Sequence, residues 1–172
     1  TGVAAGSDGT ADKNAADGKK VLFNIKFSDA DQNNFEFDSD FYSGSAGTDR
    51  MLRGDDGSST YNVYTTGDIK KRILTAALGQ TSNIRKVYDG GLEADKNNLR
   101  VNNFLEGDKD QLDTSAVFDH SNASVSPGET ANARTITYTA TLTGDAVGNY
   151  AFDSLTGSAQ KVLTATGDIE KR

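Results

Sequence analysis

The chain repeats itself. The heptapeptide TGDIKKR at 66–72 returns as TGDIEKR at 166–172, with one substitution and an offset of 100 positions. A second, weaker match relates 25–39 to 140–154, with an offset of 115 positions. Self-similarity over a domain-sized period is typical of proteins built from copies of one structural unit. The sequence therefore predicts that both halves of the chain adopt the same fold.

The two offsets set the boundaries of these copies. Their difference of fifteen residues predicts an insertion in the first copy, which we place at 40–59. We assign 1–65 to the first copy and 66–172 to a second, complete copy that begins and ends on the two TGDI heptapeptides, interpreted as linkers. No residue before Thr1 matches the region from Ile73 to about Asn103. We therefore expect a truncated first copy unless another segment supplies those strands, and strand donation by a neighbouring chain is one hypothesis for this.

Alternating apolar residues predict strands in both copies. Residues 21, 23, 25 and 27 of the first copy are apolar, and residues 136, 138, 140 and 142 of the second alternate with threonines. A period of two indicates a β-strand with one buried face. Each run is followed by a turn rich in Gly, Asp and Asn and by a second run with two aromatic residues, at 35–37 and 150–152. This order predicts one hairpin in each copy.

The rest of the chain favours an all-β fold with little helix. No long stretch has the spacing of an amphipathic helix, and turn signals recur every eight to twelve residues, which is typical of small antiparallel sandwiches. We expect tandem β-sandwich or β-grasp-like modules. The longest apolar runs have three residues, far below the ~20 needed to cross a bilayer. Further strands are predicted at 60–65, 73–78, 99–104, 116–118 and 161–166.

Charge and composition exclude several functions. The chain has 25 acidic and 18 basic residues, and its net charge of -7 would repel a nucleic acid backbone. The absence of cysteine removes disulfides, thiolate metal sites and cysteine nucleophiles. The single histidine, His120, has neither the partners of a zinc site nor those of a catalytic triad. We expect no enzymatic activity.

One turn imitates an oxygen-rich calcium loop. Hard cations need six to eight oxygen ligands, and four oxygen-bearing side chains recur here at loop-like spacing. However, Asn34 occupies the position where a calcium loop needs glycine for its sharp bend. A plain hairpin turn is the favoured interpretation, no cofactor is expected, and calcium stays open as the alternative. The four candidate ligands are Asp29, Asp31, Asn33 and Asp40.

The insertion at 40–59 combines aromatic and arginine side chains with many glycines and serines. It contains the tripeptide Arg53-Gly54-Asp55, which is similar to an integrin-recognition motif, although a match this short also arises by chance. Exposed aromatic and guanidinium groups are typical hot-spot residues at interfaces. The alternative is a surface loop without a ligand. The candidate contact residues are Phe41, Tyr42, Arg50, Arg53, Gly54 and Asp55.

A family resemblance joins these observations. The pentapeptide Lys86-Val87-Tyr88-Asp89-Gly90 is followed by TGDAVGNYAF at 143–152 and then by the second TGDI heptapeptide. In this order the motifs resemble the YDG-type repeat of large bacterial surface haemagglutinins and filamentous adhesins.

The resemblance implies a secreted or cell-surface, non-catalytic β module that is strung in tandem to make an adhesive stalk. The expected partners are neighbouring repeats, other copies of the protein through strand pairing, and a host or matrix surface. The alternative function is a carbohydrate- or matrix-binding module, in which exposed aromatic residues such as Tyr42 or Tyr64 stack on sugars.

Overall fold

The computed structural model describes residues 3–5, 13–26, 52–53 and 60–172. Within these ranges the chain is mostly β, with twelve strands, one short α-helix and two 3-10 helices. The all-β expectation is confirmed. The chain divides into two compact units, Thr1–Lys70 and Lys71–Arg172. This division falls five residues after the predicted boundary. In the described part, no helix has the length and apolar character needed to cross a membrane.

The described strands of the first unit form one antiparallel sheet in the order β1-β2-β4-β3. Strands β2 and β4 pair over most of their length, with Lys20 opposite Thr66 and a bulge between Ala16 and Lys19. The short strand β3 pairs with β4 only at Asn62 and Tyr61. The strands are β1 Val3–Ala5, β2 Ala16–Lys26, β3 Leu52–Arg53 and β4 Thr60–Ile69.

The second unit is built on a four-stranded sheet in the order β7-β12-β10-β9, in which β7 runs parallel to β12 and the other pairs are antiparallel. Two small sheets, β6-β8 and the parallel pair β11-β5, accompany it. The strands are β5 Arg72–Ile73, β6 Thr75–Leu78, β7 Ile84–Val87, β8 Leu99–Asn102, β9 Leu112–Phe118, β10 Arg134–Leu142, β11 Tyr150–Ala151 and β12 Gln160–Glu170. The helix α1 spans Ala146–Asn149, and the 3-10 helices span Lys96–Asn98 and Glu106–Gln111.

The core of the second unit lies on one face of β10. Ile136, Tyr138 and Ala140 are fully buried, whereas the intervening threonines lie on the outer face. This is the predicted period of two, and it arises because successive side chains of a strand point to opposite sides. Other buried apolar residues complete the core: Leu74, Ile84, Leu99, Ala116, Phe118, Leu142, Ala146, Tyr150, Phe152, Ala165 and Ile169.

The predicted hairpin of the second copy does not form. After β10 the chain makes a turn and the single helical turn α1, whose first N–H, from Ala146, donates to Gln111 Oε1 at 2.8 Å. Strand β11 then pairs with β5, in parallel. Strand β10 already has β9 on one side and β12 on the other, so no edge is left for β11. The hairpin predicted for the first copy depends on 27–39, which lie outside the described residues.

Most of each TGDI segment lies in a strand, and the first segment also contains the division between the two units, between Lys70 and Lys71. Thr66–Ile69 belong to β4 and Thr166–Ile169 belong to β12, and both segments are paired with a neighbouring strand. Lys70 and Lys71 lie between β4 and β5, outside both strands.

The strand pairs β2-β4 and β10-β12 have the same register. The pair Lys20 and Thr66 corresponds, through the two sequence offsets, to the pair Thr135 and Thr166. This correspondence continues without a shift from Lys19 and Gly67 to the end of β2. Strand β1 lies beside β2 on the side opposite β4, as β9 lies beside β10 on the side opposite β12. The sequence match at 25–39 and 140–154 thus continues backwards as equal strand pairing.

Candidate functional site

The KVYDG residues form a tight turn directly after β7, which we call the KVYDG turn (residues 86–91). The Lys86 ammonium lies 2.8 Å from Asp89 Oδ1 and donates to the carbonyl oxygens of Gly91, at 3.0 Å, and Glu93, at 2.9 Å. Asp89 Oδ1 also accepts the Gly91 N–H at 2.9 Å. Gly90 has a φ of 84°, a left-handed conformation that glycine adopts without strain. Lysine, aspartate and glycine of the motif therefore build the turn itself.

The turn connects the two edges of the main sheet. Before it, the Tyr88 N–H donates to the carbonyl of Glu170 on β12. After it, the carbonyl of Leu92 accepts the N–H of Phe118, and the Ala94 N–H donates to the carbonyl of Ala116, both on β9. Because β7 and β9 are at opposite ends of the strand order, this short connection requires that the sheet curl.

The remaining motif side chains are exposed. Lys86 keeps only 13% of its side chain accessible, whereas Tyr88 and Val87 retain 41% and 54% of their residue surface. The hydrogen bond with Lys86, followed by the Gly91 N–H, holds the pKa of Asp89 below its ordinary value. The motif thus presents a tyrosine ring on a fixed turn.

A second fixed point is a buried aspartate on β12. Asp168 is fully buried, and its carboxylate accepts the backbone N–H groups of Ala131 at 2.8 Å, Asn132 at 2.9 Å and Ala133 at 3.0 Å. The Ser124 hydroxyl donates to the same carboxylate at 3.1 Å. We call this arrangement the Asp168 clamp. It fixes the loop that leads into β10.

The charge state of Asp168 follows from these contacts. Burial alone would raise the pKa of Asp168, but the N–H groups of Ala133, Ala131 and Asn132 and the Ser124 hydroxyl outweigh it and hold the pKa below its ordinary value. The carboxylate is therefore charged in the folded protein at neutral pH. Three of its partners are backbone N–H groups of the loop before β10, so the charge of Asp168 stabilises that loop.

The first unit contains a reduced form of this clamp. Asp68 Oδ1 accepts the N–H of Gly18 at 2.9 Å, and Gly18 corresponds to Ala133 through the sequence offset. Asp68 also lies 3.1 Å from the Lys70 ammonium, which lies 2.8 Å from Asp17. The Gly18 N–H and then Lys70 lower the pKa of Asp68. The aspartate of TGDI thus holds the same backbone position in both units.

Sequence reasoning missed Asp168 by placing it in an exposed linker. One signal in the sequence indicated a longer strand. Gly167, Asp168 and Ile169 directly follow the alternating run at 161–166, and no turn residue separates them from it. The structure buries all three residues. The sequence analysis also gave no role to Ser124, whose hydroxyl donates a hydrogen bond to Asp168.

The predicted ligand residues are not brought together in the described part of the chain. Arg53 lies in β3, opposite Tyr61. The other contact candidates, Phe41, Tyr42, Arg50, Gly54 and Asp55, lie outside the described residues, as do the calcium candidates Asp29, Asp31, Asn33 and Asp40.

Two features of the described part bear on the predicted chemistry. Across 13–26 and 60–172, no three acidic or histidine side chains are grouped so that they could hold a metal ion. His120 is exposed, with Nδ1 3.4 Å from Asp119 Oδ1.

The outer face of the main sheet is a regular surface of the second unit. Threonines 135, 137, 139 and 141 of β10 lie beside outward residues of both neighbouring strands. We call this surface the hydroxyl face. Val117 and Val162 on it are 40% and 49% exposed, which gives it apolar positions among the hydroxyls. Its flanking members are Asp113, Ser115 and Val117 of β9 and Gln160, Val162 and Thr164 of β12.

These observations define a small β module whose curled sheet is fixed by a lysine-aspartate turn at one point and a buried aspartate at another. The YDG domain family model matches residues 70–157, just over half of the chain, and the chain belongs to this family. The matched region includes the KVYDG turn and α1. No curated protein and no solved structure matches the chain.

Proposed function

We propose that this chain is a stalk segment of a large bacterial surface or secreted filamentous adhesin of the haemagglutinin type, located outside the cell. The observation that carries the proposal is the equal register of β2-β4 and β10-β12 in two units that follow each other along the chain. Each unit would be one copy of a small antiparallel sandwich or β-grasp-like module. Repeated modules of this kind extend a molecule by nearest-neighbour stacking.

The use of charged groups supports a mechanical role. Lys86 and Asp89 fix the KVYDG turn, and Asp168 fixes the loop before β10. Catalysis would require titratable groups that converge on a cleft with their bonding capacity directed at a substrate. Here their partners are mainly backbone groups of the module itself. An enzymatic role is therefore not part of the proposal.

Adhesion is assigned to the inserted segment 40–59. Tyr42 and Arg50 are of the residue types that dominate interface energetics, and the segment is an insertion relative to the second copy. The test replaces 40–59 with a glycine-serine segment of equal length and measures attachment of fluorescent protein to host cells and to immobilised matrix. We expect attachment to be lost. Unchanged attachment would remove the adhesive part of the proposal.

A carbohydrate-binding module is the second candidate, and the hydroxyl face favours it. Exposed Val117 and Val162 among threonines offer apolar contacts next to hydroxyl groups, as sugar surfaces require. On a glycan array, Thr139→Lys would place a long charged side chain on the middle of this face and abolish binding. Tyr42→Ala and Tyr64→Ala test the tyrosines that the sequence singled out. Binding that persists in all three variants would contradict this alternative.

The stalk itself is tested by length. A chain in which residues 1–172 are joined head to tail with a second copy should show, in small-angle X-ray scattering, a maximum dimension close to twice that of the single chain. A compact particle would increase much less, because its dimension grows with about the cube root of its mass. The compact result would contradict the stalk.

A further inference from the structure

Strand β7 explains the glycine of the second TGDI segment. In the second unit β7 pairs in parallel with the end of β12, with Ile84 beside Gly167 and Val87 beside Glu170. A Cβ atom on Gly167 would lie 2.3 Å from the carbonyl oxygen of Ile84 and 3.0 Å from Ile136 Cδ1. No side chain fits at that distance. Glycine is therefore needed at 167 because β7 lies against this position.

The first unit has the same glycine without the same neighbour. Gly67 pairs with Lys19 as Gly167 pairs with Arg134. Among the described residues, a Cβ on Gly67 would meet only Val21 Cγ2, at 3.3 Å. The glycine is present where the described part of the unit offers no backbone that requires it.

The edge beside Gly67 is also in strand conformation. Strand β4 remains paired with β2 as far as Ile69, which is opposite Ala16. On its other side β4 pairs with β3 only at Tyr61 and Asn62, and no other described strand lies along 66–69. Strand edges with free N–H and C=O groups bind extended peptides by adding a strand to the sheet.

We propose that the edge at Gly67–Ile69 is an acceptor site for one parallel strand of the β7 type, supplied by another YDG domain. The second unit defines the geometry: the acceptor glycine lies beside the first apolar residue of an Ile-x-x-Val strand, and the strand runs parallel to β4. The inference rests on the modular arrangement proposed above and is independent of any adhesive role.

The charges around Lys70 set the preference of this site. The two TGDI heptapeptides differ only at Lys70 and Glu170. In the second unit the Arg85 guanidinium of β7 lies 3.9 Å from Glu170, and Arg85 pairs with Asp168. In the first unit the same arginine would lie beside Asp68. The Lys70 ammonium lies 2.8 Å from Asp17 and 3.1 Å from Asp68, so two carboxylates offset one ammonium, and a strand with arginine should bind better than one with an acidic residue in place of Arg85.

The test titrates the isotope-labelled 172-residue chain with two synthetic peptides and follows backbone amides by NMR. One peptide has the sequence of residues 81–91, and the other carries glutamate in place of Arg85. We expect saturable shifts at residues 67–69, no shifts at residues 167–169, and several-fold tighter binding of the arginine peptide. In Gly67→Ala the new Cβ would meet the carbonyl of the incoming strand, so binding should be lost. The neighbouring control Thr66→Ala should retain it.

Absence of saturable shifts at 67–69 with both peptides would overturn the proposal, as would equal binding to Gly67→Ala. The Gly18 amide, which bonds to Asp68, reports whether Gly67→Ala still folds. If that variant does not fold, the affinity ratio of the two peptides decides, and tighter binding of the glutamate peptide overturns the proposal. If neither peptide binds but the maximum dimension from small-angle X-ray scattering doubles in the head-to-tail chain, the acceptor site is rejected and the stalk proposal stands.

Discussion

Gly67 and Gly167 occupy the same position in the same strand register, yet among the described residues only at Gly167 would an added Cβ meet the backbone of a neighbouring strand, β7. The two positions therefore offer a matched pair of substitutions. In one, an added methyl group must displace a carbonyl oxygen. In the other, it meets the end of a valine side chain.

Gly167→Ala should destabilise the second unit by about 1 to 3 kcal/mol, the usual cost of overpacking, whereas Gly67→Ala should change stability by no more than about 0.5 kcal/mol. Hydrogen-deuterium exchange with mass spectrometry measures this locally. We expect faster exchange in 84–87 and 167–170 for Gly167→Ala alone. Unchanged exchange there would contradict the assigned contact with Ile84.

Asp168→Asn should lower the free energy of unfolding by roughly 2 to 3 kcal/mol at neutral pH. An amide has one acceptor oxygen where the carboxylate has two, so N–H groups among Ala131, Asn132 and Ala133 lose their acceptor. Denaturant unfolding measures the loss. Asp145→Asn, at an exposed aspartate, is the control and should have little effect.

The same aspartate predicts a pH dependence. Its pKa is lower in the folded protein than in the unfolded chain, so the unfolded chain binds the proton first as the pH falls. The stability from Asp168 is therefore complete above the unfolded pKa and is lost on acidification, as the pH falls from the unfolded pKa through the lower folded pKa. The stability difference between wild type and Asp168→Asn should shrink over that range. A difference that stays constant would contradict the charged clamp.

Lys86→Met should destabilise the KVYDG turn by about 1 to 2 kcal/mol, because the carbonyls of Gly91 and Glu93 lose a charged donor. Asp89→Asn should cost less, since an amide oxygen still accepts the Gly91 N–H and Asp89 is largely exposed. Thermal unfolding followed by circular dichroism ranks the two variants against Lys171→Met at an exposed position. The opposite order would show that Asp89, and not Lys86, holds the turn.

Tyr150→Phe should cost about 1 kcal/mol. The buried Tyr150 hydroxyl donates to Asp108 Oδ2 at 2.6 Å, while its ring stacks on Phe104 with 4.4 Å between centroids. Phenylalanine keeps the stack and loses the hydrogen bond. Tyr150→Leu removes both and should cost more in the same unfolding experiment. Equal losses for the two variants would mean that the stack contributes nothing.

Sequence periodicity was sufficient for the strands that have one buried face. The alternation of Ile136 and Tyr138 with threonines predicts β10 and its inner face, because successive side chains of a strand point to opposite faces and the apolar ones face the core. The composition of 143–152 could not reveal the partner of β11. Pairing with β5 is decided by the strands that already flank β10, and that information is distributed over the whole unit.

The Asp168 clamp could not be predicted from the sequence for a related reason. A buried carboxylate is stable only if donors reach it, and its donors come from Ser124 and from a loop more than thirty residues away. No local pattern at 166–172 indicates which residues donate to Asp168. The repetition of TGDI was visible, but repetition alone does not distinguish a linker from a paired strand.

The shared register of β2-β4 and β10-β12 is the central claim, and cross-strand disulfides test it directly. The chain has no cysteine, so engineered pairs are unambiguous. Opposed residues in antiparallel strands have Cα atoms about 4.5 to 5.5 Å apart, within the range of a disulfide. Cysteines at Lys20 and Thr66, or at Thr135 and Thr166, should each form an intramolecular disulfide on mild oxidation, whereas pairs shifted by one residue should not. Formation in the second unit together with a shifted pair in the first would contradict the claim.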